Sequence, residues 1–296
     1  MHVLIFGRTG QVGRELGRVA WPRGFIIRQL DRTECDLATP AAVGARVLEA
    51  RPDVVINAAA HTAVDRAETE PALAAAINRD SPSAMAVACR TTGAKFIHLS
   101  TDYVFDGEKR SPYVEDDPVA PLSVYGRTKQ EAESAIRAHT SEHIILRTSW
   151  VFAAHGSNFV RTMLQLAKER TELQIVDDQR GAPTAARDIA QAIAVIVAHI
   201  GAGRPSWGTF HFASREPTTW FGFAEVIFAA LGAGPRLVPT TTEKYKTPAR
   251  RPLYSVLDCA RVRKTYGIAQ PCWRTALSDV MSELAQEASG KGALAK

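Results

Sequence analysis

The chain has 296 residues, 46% of them hydrophobic, enough for one large domain or two modest ones; no apolar run reaches the roughly 18 residues that span a bilayer, and the short start His2–Phe6 stops at Gly7 without a signal-peptide layout. The 36 basic and 31 acidic residues are interleaved, so a net charge of +5 suits an anionic small molecule and gives no case for nucleic acid. Cys35, Cys89, Cys259 and Cys272 are too scattered for a zinc knuckle or a disulfide scaffold, which places the protein in the reducing cytoplasm, away from membranes.

In chain order, short apolar runs alternate with helical stretches. Strands are expected at His2–Phe6, Phe25–Leu30, Asp53–Ile56, Lys95–Leu99 and His143–Leu146. Helices are expected at Gln11–Ala20, Ala41–Ala50 after the Thr39-Pro40 start, Pro71–Thr92 and Ser123–His139. Strands separated by single helices imply parallel pairing with right-handed crossovers, so residues 1–150 read as a doubly wound α/β sheet of the Rossmann-like, dinucleotide-binding kind. After Trp150 the pattern loosens, with helices at Ser157–Lys168, Ala185–His199, Trp220–Leu231 and Arg274–Ala288 among proline-rich connectors. Residues 151–296 are expected to form a smaller, interleaved C-terminal substrate domain, some of whose segments return to the sheet. The stretch Ser289–Lys296 reads as a frayed tail.

The turn after the first strand holds Gly7, Thr9, Gly10 and Gly13, where backbone amides and a helix dipole can hold a pyrophosphate that side chains would keep out. The spacing Gly-x-x-Gly-x-x-Gly is one residue longer at the front than the familiar fingerprint, so position has to support it. The second strand ends at Asp31, where a carboxylate binds adenosine ribose hydroxyls and favours NADH. Arg32 follows at once, and with Arg8 it can hold the 2′-phosphate of NADPH, so the sequence leaves the cofactor as NADPH or NADH. Asp36 and Leu37 form a second turn near the adenine. The run Asn57-Ala58-Ala59-Ala60-His61-Thr62 leaves the third strand with small residues that let a flat ring lie close to the backbone.

Tyr125 and Lys129 stand four apart in a helical stretch and share one face. A lysine ammonium stabilises a neighbouring phenolate, lowers the tyrosine pKa and lets the phenol donate a proton to a carbonyl oxygen as hydride reaches the carbon. Thr101, at the carboxyl end of the fourth strand, is the residue expected to hydrogen-bond that oxygen, with Ser100 pointing the other way. No His-Glu-x-x-His or Gly-x-Ser-x-Gly pattern supports a metalloenzyme or serine hydrolase.

Together these motifs resemble the extended short-chain dehydrogenase/reductases. Within that group Phe6–Gly13, Asn57–Asp65, Ser100–Phe105, Arg147–Phe152, Asp178–Thr184 and Thr247–Pro252 resemble the dTDP-4-dehydrorhamnose reductases along nearly the whole chain. The resemblance implies NAD(P)H-dependent reduction of the 4-keto group of dTDP-4-dehydro-L-rhamnose to dTDP-L-rhamnose for cell-surface polysaccharide. It places Gln11, Val12, Asp36, Leu37, Ala60, His61 and Thr62 along the cofactor, and Val64, Thr101, Asp102, Tyr125 and Trp150 on the nucleotide-sugar substrate. Trp150 then packs its indole on the apolar face of the deoxysugar, while Asp178–Thr184, Arg250 and Arg251 meet the nucleotide and its diphosphate. The resemblance leaves room for a homodimer. Some members hold magnesium between glutamates at such a contact; Glu15 and Glu283 fall near those places, but Arg187 stands where another carboxylate belongs, so no metal is expected. Two alternatives share the outline: a nucleotide-sugar epimerase or dehydratase that recycles its hydride, and a non-catalytic relative such as the regulatory subunit of methionine adenosyltransferase.

Overall fold

The computed structural model describes residues 1–293, with side chains to Glu287. In β1 (His2–Phe6), Val3 and Ile5 enter one core cluster while Leu4 and Phe6 enter another. A strand covered on both faces needs such a continuous apolar run. The same split recurs in β3 (Val54–Asn57), β4 (Lys95–Thr101) and β5 (His143–Thr148), and β2 (Ile26–Leu30) closes one edge. Short strands β6 (Val151–Phe152), β7 (Glu172–Val176), β8 (Arg180–Gly181) and β9 (Thr184–Ala185) follow before β10 (Gly208–His211) joins the opposite edge beside β5. The sheet is all parallel, in the order β10-β5-β4-β3-β1-β2.

Helices α2 (Pro40–Ala50), α5 (Ser81–Thr92) and α6 (Val124–His139) contribute to the core that holds Leu4 and Phe6. On the other side α1 (Gln11–Arg18), α8 (Ala186–Gly201) and α10 (Ala260–Tyr266) cover Val3 and Ile5. A third core gathers α7 (Phe159–Leu166), α9 (Trp220–Leu231) and α11 (Trp273–Ala293) around Phe223 and Trp273, with β7 packed in and β12 (Arg236–Thr240) paired to it. There β6 pairs with β9, and β8 with β11 (Thr218–Thr219).

Three departures from the sequence-based expectation matter. The helix expected over Pro71–Thr92 is broken into α4 (Pro71–Ala75), a π-helical turn at Ala76–Asp80, and α5. Pro82 in the first turn of α5 has no N–H to return to Asn78, so the ladder cannot run through unaltered. A further helix, α3 (Val64–Thr69), also precedes this break. The tail expected over 289–296 is helical up to Ala293, and 294–296 lie outside the described residues. Among the described residues, no helix is long and apolar enough to cross a membrane.

β1 leads to β2 on one side and its other neighbour β3 leads to β4 on the other, so the chain changes direction between β1 and β3. In an open parallel sheet this switch point opens a crevice at the carboxyl ends of the strands. Gly7 and Ala58 leave the sheet at that point.

Candidate active site

A cleft of about 650 Å³ occupies the switch point. Its floor is the first turn. Gly7 has φ +102°, and a Cβ there would come within 2.9 Å of the Ala58 backbone. A Cβ on Gly13 would fall 1.9 Å from the Gly7 carbonyl oxygen, so only glycine lets α1 settle on the turn. Gly10, the N-cap of α1, makes no side-chain cap bond, which leaves first-turn amide donors for an anion. Thr9, Gly10, Gln11 and Val12 line the cleft; Gly13 is buried beneath it.

At the outer end, Asp31 lies against the Arg8 guanidinium and accepts from the Thr33 N–H and hydroxyl at 2.9 and 2.6 Å. Thr33 and then Arg8 hold the Asp31 carboxyl down to about 2. Arg32 turns to Asp36 at 3.1 Å. Asp31, Arg32, Asp36 and Leu37 all line the cleft, so the two cationic groups expected to receive a phosphate already face carboxylates.

The small residues after β3 behave unevenly. Ala59, Ala60, Thr62 and Val64 line the cleft. His61 does not: its Nε2 faces Glu70 at 3.6 Å, because Asn78 grips the His61 backbone, accepting from its N–H at 2.7 Å and donating to its carbonyl at 3.1 Å. Asn78 belongs to the π-helical turn.

The opposite wall comes from β4 and α6. Ser123 caps α6 by accepting from Gly126 N–H, and a Cβ on Gly126 would fall 2.2 Å from the Tyr103 carbonyl oxygen, so α6 packs directly on the segment after β4. Tyr125 thereby meets the edge of Tyr103, ring centroids 5.8 Å apart, and lies close enough to Thr101 for that hydroxyl to favour its phenolate. Thr101 Oγ1 donates to Asp102 at 3.1 Å and accepts from Tyr103 N–H at 3.1 Å. It therefore both ends the strand on its own backbone and faces the tyrosine.

Lys129 departs from expectation. Its Nζ donates to the Leu99 carbonyl at 2.6 Å and lies 2.9 Å from His98 Nε2. Burial brings its pKa down to about 7, against the pull of Glu133. Burial likewise pushes the Tyr125 phenol up to about 12 and the Asp102 carboxyl up to about 7. The depressed tyrosine pKa read from the sequence is thus corrected: desolvation dominates here, and no direct Tyr125–Lys129 bond offsets it. Ser100 lines the cleft but gives its hydroxyl proton to Glu133 at 2.6 Å, inside a buried cluster where Glu133 also accepts from Arg147 at 2.9 and 2.7 Å.

Trp150 and Trp220 close the far end. Trp150 has φ +47°, a conformation side chains rarely adopt. Trp220 stacks on one face of its ring. A Cβ on Gly181 would come 2.5 Å from Cε2 and 2.6 and 2.8 Å from the flanking Nε1 and Cζ2. Nearest approach to the inner atom of the three puts Gly181 over the opposite face. The indole face expected to pack on a sugar is therefore covered on both sides, and Trp150 offers the cleft its edge.

Arg250 and Arg251 are not brought to this cleft. They border a separate hollow with Lys109, Arg110 and Arg180. Arg251 is committed to Asp65 by a two-pronged ion pair at 3.0 and 2.7 Å. The Asp178–Thr184 turn serves the tryptophans: Gln179 accepts from Trp220 Nε1 at 3.1 Å, and Asp178 ties down Thr242.

The family profile described as RmlD substrate binding domain matches residues 1–286. The chain belongs to this family. It is 44% identical to a dTDP-4-dehydrorhamnose reductase of Burkholderia thailandensis, over 96% of this chain and 99% of that one. It is 43% identical to one from Escherichia coli K12, over 96% and 98%. Among solved structures, the dTDP-4-dehydrorhamnose reductase of Bacillus anthracis in complex with NADP superposes with TM-score 0.87 at 35% identity, covering 95% of this chain and 99% of that chain.

The glycine turn, Thr101, Tyr125 and Lys129, expected from the sequence, line the cleft or lie beneath it, while Asn78, His98 and Trp220, which pack around it, were not expected there. Asn78 sits in what reads as ordinary helix, and Trp220 opens a helix far along the chain, so local spacing carries no signal for either. Where a shared metal was weighed, Glu15 meets His155 at 2.6 Å and Arg18 at 3.0 Å, Arg18 bridges on to Glu283, and Arg187 meets Asp279 at 2.5 Å.

Proposed function

We propose that this chain reduces the 4-keto group of dTDP-4-dehydro-L-rhamnose to dTDP-L-rhamnose at the expense of NADPH or NADH. The observation that carries the reading is Tyr125 set beside Thr101 at the inner end of a glycine-floored cleft, with Lys129 one helical turn behind. The names of the relatives and the NADP in the Bacillus anthracis structure support it.

The residues present fit a dinucleotide. Gly7 and Gly13 let the turn close on the Ala58 backbone and under α1 where a Cβ would clash, and the uncapped start of α1 offers donors to a pyrophosphate. Asp31, with Arg8 against it, would take the adenosine ribose at the outer end, while Ala59 and Ala60 keep the inner floor low. When bound, the nicotinamide supplies the hydride.

The chain's own side chains supply the proton and the alignment. Tyr125, kept protonated by burial, donates from its hydroxyl to the ketone oxygen. Thr101 steadies that oxygen through its hydroxyl as negative charge develops. A protonated Lys129 turned toward Tyr125 stabilises the phenolate left behind. Val64, Asp102, the Trp150 edge and Trp220 bound the sugar side, and residues 151–296 contribute most of the substrate lobe beside the dinucleotide-binding residues 1–150. A biosynthetic step on a nucleotide sugar fits the cytoplasm.

The test is cofactor absorbance with the keto-sugar: oxidation of NAD(P)H should match ketone consumed, mole for mole. Tyr125→Phe should lower kcat by about 10²–10⁴-fold with little change in cofactor affinity. A Tyr125→Phe enzyme that turns over like its parent removes this reading.

A further inference from the structure

Behind Lys129 lies a buried hydrogen-bond chain that the reaction above leaves unused. His98 on β4 and Asn57 at the end of β3 are both fully buried. The Asn57 amide oxygen accepts the Ala59 N–H at 3.1 Å, which turns its NH₂ toward His98 Nδ1, also at 3.1 Å. A neutral imidazole carries one proton, and with Nδ1 accepting, that proton belongs on Nε2. Burial, with Lys129 beside it, holds the His98 pKa well below its ordinary value, so the ring stays neutral. Nε2 lies 2.9 Å from Lys129 Nζ. Two donors cannot share that contact, so it is bonding only when Nζ presents a lone pair.

We propose that His98 is a positioning residue for this reaction: its Nε2–H, fixed by Asn57, holds Lys129 back as a neutral amine, and protonation of Nζ opposes donor to donor and sends the ammonium toward Tyr125. The inference rests on the reading of Tyr125 and Lys129 given above. The surroundings agree with it. Nζ also donates to the Leu99 carbonyl. Glu133, one turn on along α6, favours the ammonium, but its carboxylate is engaged by Arg147, Arg137 and Ser100. Phe96 flanks the imidazole, ring centroids 6.0 Å apart, and Tyr125 is the next titratable side chain on the cleft side of α6.

Two measurements on the intact enzyme test this. Imidazole ¹⁵N resonances of the parent should show His98 as the Nε2–H tautomer at neutral pH; an Nδ1–H or doubly protonated ring overturns the proposal. His98→Gln can turn an amide oxygen to Nζ and so favour the ammonium. Turnover falls as pH rises through the Lys129 pKa, because the ammonium is what supports the phenolate, so the variant should carry the alkaline limb of kcat upward by about one pH unit with KM for the keto-sugar little changed. A kcat profile that superposes on the parent's also overturns it. Turnover by Tyr125→Phe would instead remove the reading beneath, whatever tautomer His98 shows.

Discussion

Trp220 lies flat on Trp150, with ring centroids 3.5 Å apart and planes 6° from parallel. Gln179 fixes the Trp220 indole N–H, and Gly181 backs the other side of Trp150, so a residue with a disfavoured backbone is locked in one pose.

That lock sets the first prediction. Trp220→Ala should free Trp150 and raise KM for the keto-sugar by roughly 10-fold, with a smaller loss in kcat, while Trp220→Phe keeps most of the stack. Gly181→Ala should reproduce the defect by pushing the indole from behind. Steady-state kinetics with cofactor saturating reads both, and an unchanged KM in Trp220→Ala contradicts the account.

The Arg8–Asp31 pair yields a prediction about cofactor preference. With Asp31 neutralised as Asn, Arg8 retains only Glu34 at 3.5 Å and is available to a 2′-phosphate. Asp31→Asn should raise the ratio of kcat/KM for NADPH over NADH by about 10-fold, and Arg8→Ala should move it the other way. Parallel titrations of the two cofactors decide the matter, and equal ratios in all three proteins would reject it.

Asp102 makes stability depend on pH. Its pKa stands at about 7 in the folded chain against an ordinary 3.8, through burial, so folding favours the protonated carboxyl. That contribution is fully present below the ordinary value and is lost as pH rises through about 7, at about 1.4 kcal/mol per unit between the two. Asp102→Asn cannot ionise, so its unfolding free energy should gain on the parent's between about pH 5 and about pH 8. Urea unfolding at both values measures the gap, and a constant difference between the two proteins would show that Asp102 does not titrate in this window.

Much of this was legible in the residues. The glycine turn, the strand ends and the Tyr125–Lys129 spacing are local patterns, and local geometry preserves them: each lies within one element or one turn. What escaped depends on contacts between distant segments. Arg251 reads as a phosphate ligand until the fold sets Asp65 against it. His61 reads as lining until Asn78 turns it away. Lys129 reads as a partner of Tyr125, yet its hydrogen bonds go to β4, which α6 meets only once the sheet is assembled. Trp150 reads as a sugar platform because a sequence cannot show what stacks on an indole.

The edge strand β10 arrives some sixty residues after β5, its parallel neighbour. A ribosome must therefore release the chain well beyond residue 150 before the Ile144–Arg147 edge is sealed. A fragment ended at 150 would carry that bare β edge, a template for aggregation. The first 150 residues are thus not a portable module: gene fusions and truncations have to respect a boundary beyond His211.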